Sequence, residues 1–414
     1  MSKGTTLLPK LRFPEFREAE GWEVGALGEV AEIVSERISL ERVDLERYVS
    51  TENILSDFGG GTCASKLPTT GSVTRFRSND TLVSNIRPYL KKVWFSNKNG
   101  GASNDVIVIR AQHKLLTQYL PFLLKNDSFI DYVMTGAKGV KMPRGDVASM
   151  KEYPAYFPVS AEQQKIAEFL SSVDALIAAQ VRKVDAFKTH KKGLMQQLFP
   201  HEGETQPRLR FPEFQDAEEW TQKRLDRIGR IIRGASPRPQ GDPRYYGGSI
   251  PRLMVQDVTR DGKWVTPQID SLTEKGAALS RPCAAGTLTI VCSGNVGVVS
   301  LLAVDACIHD GFLALIDINE SFIVKDFIFH SLTTLREQFE KGATHGGVFT
   351  NLTTSGISQF EIRCPLLPEQ QRIADCLTSL DDLIATQGQN LDTLKAHKKG
   401  LMQQLFPSAE EMPA

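Results

Sequence analysis

The chain carries no excess of charge: 49 Lys and Arg face 49 Asp and Glu, so a simple polycation is excluded. Cysteine is sparse and unevenly shared. Cys63 stands alone in the first half, five others (Cys283, Cys292, Cys307, Cys364, Cys376) lie in the second, and no Cys-x-x-Cys pair occurs. A disulfide framework or zinc site common to both halves is not expected; reduced, buried thiols are. No apolar run approaches the length of a membrane span, and Met1–Lys10 lacks the apolar stretch of a signal peptide, so a cytoplasmic protein with no membrane association is expected. There is no Gly-x-x-x-x-Gly-Lys-Ser/Thr phosphate loop. No Pro-Pro dipeptide occurs, which removes the Asn/Asp-Pro-Pro-aromatic signature of amino-methyltransferases. Phe58-Gly-Gly-Gly-Thr62 starts like a cofactor-binding Phe-x-Gly-x-Gly loop but ends in Thr. No metal-ligand cluster stands out. With catalytic signatures missing, the expected function is binding.

What is present is a duplication. His190-Lys-Lys-Gly-Leu-Met-Gln-Gln-Leu-Phe-Pro200 recurs unchanged as His397–Pro407, an offset of 207. Leu11-Arg-Phe-Pro-Glu-Phe16 returns as Leu209–Phe214, and Trp22 and Leu27 return as Trp220 and Leu225, all at an offset of 198. The chain is two tandem units that begin and end alike, the second nine residues longer (207 − 198). At 414 residues it fits two to three domains.

The constant ends read as helices with one apolar seam. In the first copy the seam runs Ile166, Leu170, Val173, Ile177, Gln180, Val184, Phe187, Lys191, Leu194, Leu198. In the second it runs Ile373, Leu377, Leu380, Ile384, Gln387, Leu391, Leu394, Lys398, Leu401, Leu405. Steps of three and four over more than four heptads are a coiled-coil pattern. Each helix is expected to begin after Glu162-Gln-Gln164 or Glu369-Gln-Gln371 and to stop at Pro200 or Pro407. Two such stripes would bury against each other, and an antiparallel pair is expected. Gln180 and Gln387 share one polar seam position, where a hydrogen bond between them would fix register; solvent exposure at the seam edge is the alternative.

The diverged middles read as mixed α/β. Strands are expected at Thr81–Ser84, Lys92–Phe95, Asp105–Ile109, Thr287–Val291, Gly297–Leu302 and Gly311–Ile316, with helices over Leu115–Met134 and Ile323–Glu340. The expected organisation is a globular domain at 1–160, a helix at 161–200, a linker at 201–220, a second globular domain at 221–367, a helix at 368–407 and a tail at 408–414. The overall neutrality hides basic regions. Residues 39–160 hold 16 Lys/Arg against 11 Asp/Glu, and residues 230–265 hold seven against three. Such patches are compatible with nucleic acid, and equally with a plain solvated surface.

Two tandem units, each ending in a Glu-Gln-Gln helix and a Lys-Lys-Gly-Leu-Met-Gln-Gln-Leu-Phe-Pro tail, resemble the specificity subunits of type I restriction–modification systems. Tyr48-Val-Ser-Thr-Glu-Asn-Ile54, Leu82-Val-Ser-Asn-Ile-Arg-Pro-Tyr89 and Tyr246-Gly-Gly-Ser-Ile-Pro251 look like segments of that family's target-recognition domains. The resemblance covers nearly the whole chain. It implies two target-recognition domains of twisted β-sheet with short helices, separated by two long antiparallel coiled-coil helices in a pseudo-twofold repeat. It implies double-stranded DNA as ligand, each domain reading one half of a split target, the helices setting the spacer. It also implies partners: two adenine methyltransferase subunits, which hold S-adenosylmethionine, and restriction subunits, which use ATP and Mg. The chain itself would hold no cofactor and do no catalysis.

On that reading, Arg87, Lys91 and Lys92, together with the Gly-spaced loop of Lys138, Lys141 and Arg144, are the DNA-contacting candidates of the first domain. Arg233, Arg238, Arg244 and Tyr245 in a Pro/Gly-rich loop, with His345 and Asn351, are those of the second. Asn351 aligns with Arg144 at the offset of 207, so matching loops would carry different chemistry. The repeated Lys191, Lys192, Gln196 and Gln197, and Lys398, Lys399, Gln403 and Gln404, are candidates for methyltransferase docking, with a solvated helix face as the alternative. A duplicated DNA-binding subunit of another phage-defence assembly, or an adaptor holding two protein partners, remain open from the residues alone.

Overall fold

Apolar β-formers place the strands, and glycines let the sheets close. The computed structural model describes residues 8–342, 344–346 and 349–407, with 342, 344–346 and 349–351 described by their backbone alone. The chain divides into two units, residues 1–181 with 389–414, and residues 182–388.

The main sheet of the first unit is formed by β1 (Ala31–Ile33), β2 (Thr81–Ser84), β3 (Val93–Phe95) and β4 (Val106–Ala111). Their order is β1-β4-β2-β3, with antiparallel neighbours throughout. Central β2 is buried along its whole length. Leu82 faces a cluster with Val106 and Val108, while Val83 faces another with Val93 and Ile109, as the two-residue side-chain period requires. A smaller sheet joins Arg37–Ser39, Tyr48–Val49, Ser72–Phe76 and Gly100–Ala102. Gly100 is obligatory there, because a Cβ would lie 2.0 Å from the Arg47 carbonyl oxygen.

The second unit repeats the plan with one more strand. Its strands include β5 (Arg230–Arg233), β6 (Tyr246–Leu253), β7 (Trp264–Val265), β8 (Leu288–Val291), β9 (Val299–Leu302), β10 (Ala306–Ile308) and β11 (Phe312–Ile316). The main sheet has the order β5-β11-β8-β9-β7, and β7 joins parallel to β9. β6 and β10 form a second sheet with Asp270–Leu272 and Pro282–Cys283.

Both helices expected in the middles are broken. In place of Leu115–Met134 the chain forms Leu120–Leu124 and Asp127–Thr135, because the Asn126 side chain accepts the Ser128 N–H at 3.1 Å and caps a new helix. In place of Ile323–Glu340 it forms Lys325–Thr334 and Arg336–Gly342, interrupted at Leu335.

The long helices are α1 (Ser160–Leu198) and α2 (Leu367–Leu405), 39 residues each. Every seam position named above is buried or half-buried. In the first unit Ile166 and Leu170 of α1 share a core with Met402, Leu405 and Phe406, at the end of α2. In the second unit Ile373 and Leu377 of α2 share one with Leu198 and Phe199, at the end of α1. Within each unit the start of one helix therefore lies beside the end of the other.

Both helices begin before the Glu-Gln-Gln motif, not after it, so the motif lies in the first turn. The reason is that its first two residues clamp the domain to the helix. Glu162, buried, accepts two hydrogen bonds from Arg12, at 2.9 and 2.7 Å. Gln163, also buried, accepts the Leu116 N–H at 2.8 Å and donates to the carbonyls of Lys114 (2.8 Å) and Pro158 (2.9 Å). Glu369 with Arg210, and Gln370 with Val324, Phe322 and Pro365, repeat both arrangements. Hydrogen bonding to Glu369 raises the pKa of the Arg210 guanidinium, against a smaller opposing effect of burial. The repeated Leu-Arg-Phe-Pro-Glu-Phe segments thus supply the arginine of each clamp. Residues 201–220 are pinned rather than loose: Leu209 N–H donates to Gln197 C=O at 3.0 Å, and Trp220 packs edge-on against Phe199.

Candidate nucleic-acid interface

In the first unit three loops meet at the end of the main sheet. The loop after β2 passes through Arg87 and Lys91, both in the left-handed region (φ +52° and +53°), on either side of a short 3-10 turn at Pro88–Leu90. The neighbouring loop does the same at Asp57 and Phe58, whose N–H groups donate to Leu90 and Lys91 carbonyls at 3.0 and 2.9 Å. Four non-glycine residues in this region are uncommon and costly, and such strain concentrates at functional sites. The third loop, 138–146, docks on the first: Arg87 N–H donates to Pro143 C=O at 2.8 Å, and Gly145 N–H to Asn85 C=O at 3.1 Å.

This arrangement brings together the six basic candidates of the unit but gives them different standing. Lys138, Lys141 and Arg144 are exposed. Lys138 pairs with Asp146 at 3.1 Å and Arg144 with Asp105 at 2.7 Å. Lys91 and Lys92, grouped with them by sequence, are half-buried and turned inward: Lys91 pairs with Asp127 at 2.6 Å, and Lys92 donates to the Thr51 carbonyl at 2.7 Å. They brace the loops. Arg87 is half-buried between them and the docked loop. Tyr89, which the sequence reading did not single out, stands 49% exposed at the apex between the two strained positions.

The second unit carries the corresponding loop at β8. Leu352 N–H donates to Cys292 C=O at 3.0 Å, repeating the Gly145–Asn85 bond at the offset of 207. His345 and Asn351 lie on two short antiparallel strands, Thr344–Gly346 and Phe349–Asn351, with Thr344 opposite Asn351; their side chains lie outside the described residues.

Beside this loop is a cleft of about 260 Å³ lined by Arg233, Ser236, Arg238, Gln240, Arg252, Ser293, His309, Asp310 and Gly311. Arg252, 2% exposed, forms its floor, paired with Asp270, donating to Ser236 Oγ at 2.6 Å and stacked 5.3 Å from the Tyr246 ring centre. Ser236 Oγ in turn donates to Asp310 Oδ1 at 2.8 Å. His309 Nδ1 accepts the Gly311 N–H at 2.8 Å, which leaves the proton on Nε2, 3.0 Å from Asp310 Oδ1. Burial lowers the His309 pKa, so the ring is neutral at physiological pH. Burial also pushes the Asp310 carboxyl up, but Ser236, His309 and Arg238 outweigh it and hold the group below its usual pKa. Arg244 and Tyr245 stand outside the lining. Arg244 pairs with Asp242 at 2.7 Å and lies 5.4 Å from the Tyr245 ring centre. Arg252, Ser236 and Asp310 escaped sequence reasoning, because nothing in a Ser-Ile-Pro-Arg-Leu strand announces that its arginine is buried.

The repeated tails also divide. Lys398 is 2.6 Å from Asp174, with its side chain 14% exposed, and Lys191 pairs with Asp381 at 16%. Both are therefore internal seam lysines, not free docking charges. Lys192, Gln196, Gln197, Lys399, Gln403 and Gln404 remain exposed. Among the described residues no group of three or more His, Cys, Asp or Glu side chains could hold a metal ion. No helix among them is long and apolar enough to cross a membrane.

The family model for the type I restriction modification DNA specificity domain matches this chain twice, over residues 19–184 and 217–396. The chain belongs to that family. Each match takes in one recognition domain and the greater part of one long helix. The putative type I restriction enzyme MjaX specificity subunit of Methanocaldococcus jannaschii is 26% identical over 301 residues, 71% of this chain and 68% of the relative. The MjaVIII specificity subunit of the same organism is 24% identical over 418 residues, 94% of this chain and 93% of the relative. A crystal structure of a type I S subunit from M. genitalium shares the fold with TM-score 0.60 at 15% identity, covering 97% of this chain and 100% of that one. A chain from a study of complex assembly and conformational transition of the type I R-M system gives TM-score 0.53 at 21% identity, covering 94% and 98%. The protein is a specificity subunit of a type I restriction–modification system.

Proposed function

We propose that each unit reads one half of a split double-stranded DNA target. The first does so through Arg87, Tyr89, Lys138, Lys141 and Arg144, the second through the cleft below Arg233 and Arg238 and the strands Thr344–Gly346 and Phe349–Asn351. The observation that supports this reading most is the loop docking repeated at Asn85–Gly145 and Cys292–Leu352. One backbone device presents different side chains in each unit, as two unlike half-sites demand. Exposed cations fix position on phosphates, and polar side chains in the clefts meet base edges.

The chain performs no catalytic step in this scheme. Two adenine methyltransferase subunits dock on the faces bearing Lys192, Gln196 and Gln197 and Lys399, Gln403 and Gln404, bringing S-adenosylmethionine with them. Restriction subunits add ATP- and Mg-dependent translocation and cleavage, and the assembly works in the cytoplasm. A base-resolution adenine-methylation map, made with the chain and its methyltransferase in a host lacking other adenine methylation, tests the scheme. A split motif with a fixed gap is expected, and replacing residues 1–160 with those of another specificity subunit should change one half only. A complex that assembles but methylates no defined motif overturns it.

A further inference from the structure

We propose that the Arg238–Asp310 pair at the mouth of the second unit's cleft reads one G·C base pair of the second half-site. This inference rests on the reading of that unit as a DNA reader and assigns its chemistry.

Asp310 stands among the cations of this cleft: the exposed Arg233 donates to its backbone carbonyl at 3.1 Å, and the exposed Arg238 lies 3.4 Å from its Oδ2. A phosphate approaching this guanidinium would meet the Asp310 charge as well. A neutral partner with both acceptors and a donor suits the pair better. In the major groove a G·C pair offers two acceptors on guanine, O6 and N7, next to one donor, the cytosine N4 amine. A guanidinium beside a carboxylate presents the complementary pattern: parallel N–H donors for guanine, and an acceptor for cytosine. An A·T pair lacks the adjacent acceptor pair on one base and places its amine on the purine.

The carboxylate is also held ready. Oδ1 accepts from the Ser236 hydroxyl at 2.8 Å, with His309 Nε2 3.0 Å away, and Ser236 is tied to Arg252 on the cleft floor. Among the described residues Oδ2 carries only the 3.4 Å contact to Arg238, so it retains lone-pair capacity. Arg238 itself is 69% exposed along its side chain and free to extend to a base. Orientation by a buried anchor, with an exposed guanidinium beside a half-buried acceptor, is what specific readout needs and what a solvated surface ion pair does not require.

The test uses the full chain assembled with its methyltransferase subunit. The wild-type methylation map first identifies the second half-site, which should contain a G·C pair. Duplexes carrying 7-deazaguanine there, which removes the N7 acceptor, should bind wild-type complex about tenfold more weakly or worse, while the same analogue in the first half-site's guanines leaves the Arg238 contact untouched. Against Arg238→Ala the analogue should make no further difference. Asp310→Asn, which adds a donor, should relax discrimination at that pair alone and leave the first half-site motif intact. Because the base analogue acts on unaltered protein, a variant that fails to assemble does not decide the outcome. A second half-site without G·C, or equal binding of natural and analogue duplexes, overturns the proposal while the split motif still stands. Absence of any split motif overturns both it and the reading beneath it.

Discussion

Lys398 Nζ lies 2.6 Å from Asp174 Oδ1, and both residues come from the constant helices but from different repeats. Asp174 belongs to α1 and Lys398 to α2, inside the first unit. Shifted by 207, the same pair appears in the second unit as Lys191 and Asp381. Each unit is thus closed by the tail of the other repeat. Trp22 on Phe406 and Trp220 on Phe199 follow the same rule, with ring centres 6.1 and 6.3 Å apart. This gives the unchanged eleven-residue tails a structural reason for identity, since each must fit a site of the same design.

Reversing Lys398 to Glu places two carboxylates together at a half-buried seam. A loss of about 1–2 kcal/mol is expected, below that of a fully buried pair because Asp174 is partly solvated. Asp174→Lys combined with Lys398→Glu should recover most of it. Reversing Lys399, which is exposed, should leave unfolding unchanged yet release the methyltransferase subunit in a pull-down. Equal unfolding midpoints for the two single reversals would remove the distinction between seam and docking lysines.

Gln163→Ala removes one acceptor and two donors from a buried position. Leu116 N–H and the Lys114 and Pro158 carbonyls then lose their partner, and a cost of roughly 2–4 kcal/mol follows at about 1 kcal/mol or more per stranded group. Hydrogen exchange at the Leu116 amide should accelerate first, because the bond is broken there before the core opens. Gln370→Ala should do the same at Val324. Unchanged protection at both amides would show that water replaces the side chain without penalty.

The scaffold was largely legible in the sequence, and the site only partly. Heptad spacing marked the course of α1 and α2, because a long apolar stripe is a signal that no local contact overrides, although each helix starts ahead of the Glu-Gln-Gln motif it was expected to follow. Strands such as Thr81–Ser84 announced themselves through apolar β-formers. What periodicity could not show was the use of polar residues. Glu162 and Gln163 belong to a motif expected to precede the helix, yet both lie buried in its first turn because Arg12 and three backbone groups converge on them. Lys191 and Lys398 occupied heptad positions in the pattern itself, and their charge suggested a partner surface until their carboxylates, 190 and 224 residues away, came into view. The DNA-facing loops were found as basic stretches, but which lysines point out depends on Asp127 and Thr51, and no local rule links those to Lys91 and Lys92.

Lys141 has no ion pair among the described residues and sits at the tip of the docked loop. Lys141→Ala should weaken DNA binding evenly across sequences and reduce the slope of log K against log salt by about 1. Arg144→Ala differs, since it also frees Asp105, and should alter sequence preference in the first half-site. Salt titrations of the assembled complex on specific and random duplexes separate the two effects. A changed motif with Lys141→Ala, or an unchanged salt slope, would contradict the phosphate role.

His330 is fully buried on the helix Lys325–Thr334, where burial, reinforced by Lys191 and Lys263, pushes its pKa down to about 2. Its Nε2 is 3.5 Å from Thr378 Oγ1, and Nδ1 has no partner among the described residues. In the unfolded chain the ring titrates near 6.5. Below that pH the unfolded state binds a proton that the native state refuses, so stability declines as pH falls from 6.5 towards 2, by about 1.4 kcal/mol per pH unit once well below 6.5. Above 6.5 the group contributes no slope. The first unit avoids this cost, because Phe122 lies under Lys398, the counterpart of Lys191, with the ammonium 5.8 Å from the ring centre. His330→Phe should therefore flatten the acid limb: between pH 7.5 and pH 5 the variant should retain about 2 kcal/mol more than wild type in urea unfolding of the second unit's transition. Parallel loss in both proteins would mean that the ring is solvated or protonated in the native state, and that the acid sensitivity lies with other groups.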